Sequence, residues 1–430
     1  MTAVVGILNK QAVAIAADSA VTIGGTNGRK IFNKANKVFT LSKYHPVGVM
    51  IYNSASLMGT PWETIIKVYR RQLADKPFPT VKDYQQDFIN FLKTKQYYAP
   101  ADVQTAFFEN FALMIINGMI NDVANTNKIL IDAPTEENRI KFLQLLEAQA
   151  ELITGNFSKS DDYCNEFTDY TFEMFATYTN AVFENILQHR FIANGLNISG
   201  DLLTKIKQMV FAILRAKEHF TNFTGLIFTG FGEDEIYPQL IPVNISMAID
   251  SRLRYYINEG GAASISNLNN GAVCPFAQTD VIDTILSGID PSLDNIYLNN
   301  FSALFKKYNQ AILNNIGDSN PLLAAQIEAL KTDYIATEFH KMNQQIKNQN
   351  YIIPLVNAVS SLSKDDLAEM AESLIYLTYL KRRITFAEES VGGPVDVAVI
   401  SKGDGFVWIK RKHYFQPELN QHFFDNYFNK

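Results

Sequence analysis

Cysteine is scarce: Cys164 and Cys274 are the two in 430 residues. They stand far apart and have no partners at zinc spacing, so each is expected to be a small buried hydrophobe. The six histidines, among them His45, His189, His219 and His340, form no HxxxH or HExxH pattern. Neither a metal nor any other cofactor is therefore expected. The first residues lack the basic segment and apolar run of a secretory signal, and no later stretch reads as apolar over the roughly 18 residues a membrane helix needs. The expectation is a cytoplasmic chain with no membrane partner. Lysine and arginine are scattered, and the net charge is −6, so no phosphate-tracking surface and no nucleic-acid partner are indicated. Internal repeats of fixed period are absent.

What is present is a chain long enough for two domains, or for one domain with large insertions. Its 30 Phe and 20 Tyr make a folded chain the expectation throughout. The opening reads as a hairpin: Thr2-Ala-Val-Val-Gly-Ile-Leu8, a turn at Asn9-Lys10-Gln11, then Ala12-Val-Ala-Ile-Ala-Ala17 ending at Asp18. A Gly-rich stretch with a mobile character (Gly24, Gly25, Gly28) follows. A second strand pair is read in 37–41 and 47–52, joined by Tyr44-His45-Pro46.

Helical periodicity takes over at Thr60-Pro61-Trp62-Glu63, which reads as a Thr cap with proline in the first turn, and runs to about Thr221. Another hairpin is read in 224–230 and 241–247. A second helical block reaches Phe386, and its last helix opens on the capping pattern Ser363-Lys-Asp-Asp366. The chain closes with strands at 395–400 and 406–409. Strands at both ends and in the middle share sheets only if the helices pack outside them, which predicts α+β layering. The expected organisation is a single discontinuous domain over 1–430. Its core strands lie at about 2–56, 223–277 and 387–412, and its helical insertions at about 57–222 and 278–386.

Three residues carry a candidate chemistry. Removal of Met1 would leave Thr2 with both a hydroxyl and a free α-amine, whose ordinary pKa of about 8 suits it to take the hydroxyl proton. A strand starting at once would hold that terminus in place. Asp18 returns at the end of the second strand beside the first. Lys37, directly before the apolar third strand, is preferred over Lys30 and Lys34 as the cation that tunes the amine while Asp18 neutralises and orients it.

Thr2, Ala16-Ala17-Asp18-Ser19 and Lys37-Val38, followed by Val47-Gly48-Val49-Met50, resemble the opening of proteasome β subunits and their bacterial relatives. Similar sequence resumes at Phe228-Thr-Gly-Phe-Gly-Glu-Asp234 and at Glu388-Glu-Ser-Val-Gly-Gly393-Pro-Val-Asp-Val397. About a third of the chain is covered. The resemblance implies an N-terminal-nucleophile (Ntn) hydrolase: a four-layer αββα sandwich of two antiparallel sheets flanked by helices, with nucleophile, aspartate and lysine at Thr2, Asp18 and Lys37. It implies supporting roles for Glu388 and Ser390, with Val391 where the family has a serine. The oxyanion-hole glycine appears as Tyr52 or Asn53, whose backbone N–H groups serve regardless of side chain. Val21 and Met50 would line an apolar specificity pocket. The activity implied is a threonine-type peptidase, with a small amide as the alternative substrate. The alternative from another class is a catalytically silent scaffold. The long helical segments would cap the cleft or replace ring contacts, and a homo-oligomer is a candidate assembly.

Overall fold

The computed structural model describes residues 2–25, 28–32, 34–94, 99–128, 135–158, 162–217, 220, 222–316, 320–328, 332–385, 391–413 and 415–428. Strands come in three groups. The first holds β1 (Ala3–Asn9), β2 (Ala12–Ala17), β3 (Val21–Gly25), β4 (Gly28–Phe32), β5 (Val38–Thr40), β6 (Val47–Asn53), β7 (Ser56–Leu57) and β8 (Thr60–Pro61). The second holds β9 (Thr224–Gly230), β10 (Gln239–Ile249), β11 (Arg252–Ile257), β12 (Ala263–Ser264) and β13 (Gly271–Ala277). The last holds β14 (Asp396–Ser401) and β15 (Gly405–Lys410).

Two antiparallel sheets result. One has the order β13-β1-β2-β14-β15, and the other has β11-β10-β9-β6-β5 with β12 paired to β10. The first sheet thus gathers its strands from both ends and the middle of the chain. Its central strands are buried on both faces, and for that reason β1 reads as an unbroken apolar run. Alternation divides β1 between two cores. Ala3, Val5 and Ile7 pack with Leu367, Ala371, Leu374 and Ile375 of the helix Lys364–Ile384. Val4 and Leu8 pack with Val38, Met50, Ile227 and Leu240 of the second sheet. The far face of that second sheet, with Val49, Ile51, Phe228 and Val243, meets Trp62, Tyr69, Phe88 and Phe108 from helices that follow β8.

Local signals fare unevenly. Ser363 and Asp366 form the expected reciprocal cap: the Ser363 hydroxyl accepts from the Asp366 N–H, and the Asp366 carboxylate from the Ser363 N–H. The first long helix departs from expectation, running over Trp62–Leu73 with Pro61 at its N-cap. Thr60 instead pairs with Leu57 in the β7–β8 ladder, because the tight turn before the helix uses its backbone. Within the Gly-rich stretch, Val21–Gly25 and Gly28–Phe32 pair as the antiparallel strands β3 and β4. Gly24 and Gly25 continue the ladder rather than interrupt it.

Among the described residues one helix, Ala101–Thr126, is long and apolar enough to cross a membrane by length and composition. This corrects the sequence expectation of no such stretch. Its Phe108, Ala112, Ile116 and Met119 are buried in the cluster under the second sheet. Cys164 is buried and Cys274 half-buried, and both thiols are free.

Candidate active site

The β1–β2 register pairs Val4 with Ala17, which brings Asp18 beside Ala3 at the open end of the hairpin. Two bonds close that end: the Asp18 N–H donates to the Ala3 carbonyl at 3.2 Å, and the Ala3 N–H donates to Asp18 Oδ1 at 2.9 Å. Thr2 continues the ladder on its other side, its carbonyl accepting from the Gln278 N–H at 3.1 Å. Strand alternation from Val4 turns Thr2 toward the space between the sheets.

Lys37 arrives from the second sheet, one residue before β5, and donates to Asp18 Oδ1 at 2.7 Å and to the Ala20 carbonyl at 2.5 Å. Both charged side chains are buried, with side-chain exposures of 4% for Lys37 and 1% for Asp18. A pair so enclosed persists only if the remaining polar capacity is satisfied. The Asp18 carboxylate meets that condition, because its Oδ2 accepts from the Ala20 N–H at 3.0 Å and the Gly392 N–H at 3.1 Å. Burial pulls the Lys37 ammonium below the usual lysine range; the Asp18 charge and hydrogen bond oppose that, and more distant Lys412 and Asp396 act in opposite senses.

Of the residues singled out in the sequence, Thr2, Asp18 and Lys37 are thus linked through the Asp18 carboxylate and the Ala3 amide. Lys34 is exposed, and Lys30 lies within β4. Tyr52 and Asn53 end β6, with Asn53 at a φ of 64°, in the left-handed region that asparagine tolerates. The Tyr52 phenol donates to Asn244 Oδ1 at 3.0 Å. Burial holds that phenol protonated well above the ordinary tyrosine range. Met50 is fully buried in the core between the sheets, and Val21 is half-buried at the start of β3. Glu388 and Ser390 lie outside the described residues.

The sequence reading missed the part played by the backbone of the late Gly-Gly. Besides its bond to Asp18, Gly392 accepts at its carbonyl from the Ser19 N–H at 3.0 Å, and the Ser19 hydroxyl donates to the Pro394 carbonyl. It also missed a second buried ion pair, Asp396 with Lys412. The Gly392-Gly393 doublet was the available signal for the first. Nothing local marks Lys412. Among the described residues no cluster of three metal-ligating side chains occurs.

No family model matches this chain, and no curated protein matches it. Among solved structures it is similar to the Anbu (Gly-1) mutant from Hyphomicrobium sp. strain MC1, at 9% identity and a TM-score of 0.28, over 99% of this chain and 94% of that one. At that level the likeness fixes neither fold family nor activity.

Proposed function

We propose that this chain is a threonine-type amide hydrolase whose nucleophile is Thr2 after loss of Met1. The domain is read as one discontinuous four-layer αββα sandwich of the Ntn-hydrolase kind, its long helical segments being insertions. The observation that carries the proposal is the buried Lys37–Asp18 pair, whose carboxylate also holds the amide next to Thr2.

In the proposed reaction Thr2 Oγ1 attacks an amide carbonyl carbon while its proton passes, through a water, to the Thr2 α-amine. The oxyanion is held by backbone N–H groups around Tyr52 and Asn53. The C–N bond then breaks, the leaving amine takes the proton, and water hydrolyses the ester to free the acid and restore Thr2. Among the described residues Lys37 makes two hydrogen bonds, to Asp18 and Ala20, and in the proposed reaction its third N–H would lower the cost of the Thr2 alkoxide. A peptide is the favoured substrate and a small amide the second choice. Val21 and Met50 would bound the pocket for the side chain before the scissile bond.

A second reading, a catalytically silent scaffold, is favoured by one observation: Thr2 is only 3% exposed with Met1 on the chain. Intact mass of the purified protein, followed by incubation with an epoxyketone or β-lactone, separates the two. The hydrolase reading expects a terminal Thr2 that gains one adduct, with the adduct lost in Thr2→Ala. Retained Met1 would leave the scaffold standing.

A further inference from the structure

Asp396 opens β14 directly opposite Ala17, the residue before Asp18. Cross-strand partners project to the same face of a sheet, and Ala17 belongs to the core between the sheets, so Asp396 projects there as well. Its carboxylate is almost wholly enclosed, with side-chain exposures of 3% for Asp396 and 10% for Lys412. Asp396 Oδ1 accepts from the Lys412 backbone N–H at 2.9 Å, and Oδ2 from the Lys412 ammonium. A second closed ion pair thus sits at the same end of the same inter-sheet space as Lys37 and Asp18.

Burying a second pair of charges there carries a desolvation cost for each ion, and as a stabilising device such a pair is often no better than two apolar residues of similar volume. Its effect on neighbouring charges is different in kind. In an enclosed, low-dielectric space two charges of opposite sign at different distances from a third do not cancel, and they bias its protonation.

We propose that Asp396 and Lys412 are positioning residues of the Thr2 site, acting together to set the protonation state of Lys37. The proposal rests on the hydrolase reading for its purpose, although not for its test. Among the described residues the charged groups facing Lys37 are Asp18 from the end of β2, Asp396 from β14 and Lys412 from the segment after β15. Asp396 raises the proton affinity of Lys37 and Lys412 lowers it. Farther out, Arg411 and His413 flank the pair, and His413 also feels the Asp396 charge. The C-terminal segment, remote in sequence from Thr2, thereby enters the electrostatics of the site.

The test reads Lys37 itself. In full-length protein labelled with 13C at lysine Cε, the Lys37 titration midpoint is followed by NMR in wild type, Lys412→Met, Asp396→Asn and the double variant. Lys412→Met is expected to raise the midpoint and Asp396→Asn to lower it, each by about half a pH unit or more. The double variant should return toward wild type, and Lys412→Arg, which keeps the cation, should stay there. A purely structural role would move both single variants in one direction or neither, and either result overturns the proposal. Should one single variant fail to fold, the other still decides, because a midpoint that stays at wild type or moves against its expected direction overturns the proposal. If Lys37 responds with opposite signs yet Thr2 takes no epoxyketone, the hydrolase reading fails while this inference stands.

Discussion

The ring of Tyr52 lies across Gly225, so closely that a Cβ on that glycine would come within 1.9 Å of Tyr52 Cε1. The contact belongs to a row of cross-strand neighbours running Tyr52, Gly225, Asn244 and Tyr256 over β6, β9, β10 and β11. Because Gly225 has no side chain, the tyrosine reaches over its strand to bond Asn244, whose amide in turn donates to the Tyr256 hydroxyl at 2.7 Å. The ring also stacks on Phe276, with centroids 5.6 Å apart, and meets the edge of Phe223. It has little freedom to move aside.

Gly225→Ala should therefore destabilise the protein by about 1–3 kcal/mol, the range of overpacked cores. Urea unfolding measures it. Tyr52→Phe keeps the ring but orphans Asn244 Oδ1, and its cost should fall near 1–3 kcal/mol for an unsatisfied buried acceptor. An unchanged midpoint for Gly225→Ala would mean that the ring lies elsewhere.

Asp18→Asn removes the counter-charge of a buried lysine while keeping the shape. The expected cost is about 3–5 kcal/mol, because an ammonium is left in an enclosed space without its anion. Lys37→Met in the same background should recover part of the loss, since no charge then remains. Equal stability of the single and double variants in denaturant titrations would show that Lys37 already sits neutral.

The lowered Lys37 pKa gives stability a pH dependence with a definite sign. Between the folded-state value and the ordinary lysine value of about 10.4, the unfolded chain binds a proton that the folded chain does not, so stability rises with pH across that window. Below the folded-state value both states are protonated and the cost of the buried charge is fully present. Wild type should thus gain on Lys37→Met as pH rises through the alkaline range, measured by urea midpoints at successive pH values. A constant difference between the two would sink the assignment.

Much of this could be read one residue at a time. The strands β1, β2, β5, β6, β9, β10 and β14 follow from apolar runs and the turns between them, because a strand buried on both faces has almost no other way to be written, and the half-exposed edge strand β15 follows from its turn and its Phe406-Val-Trp-Ile409 run. Asp18 and Lys37 stood out because each ends or begins such a run. The cap at Ser363 is local chemistry and was equally legible. The Thr60 signal was misleading because a backbone ladder competed for the same residues, and the β3–β4 hairpin was hidden by glycines that usually mark loops.

The sequence alone determined which residues end the strands and which of them bear charge. Only the tertiary structure decided who meets whom: Gly392 reaches Asp18 across 374 positions, and Asp396 with Lys412 closes on the same space. The reason is that sheet order is a long-range property. Pairing β2 with β14 is favoured by the summed burial of several strands against two cores, and no window of local sequence contains that sum.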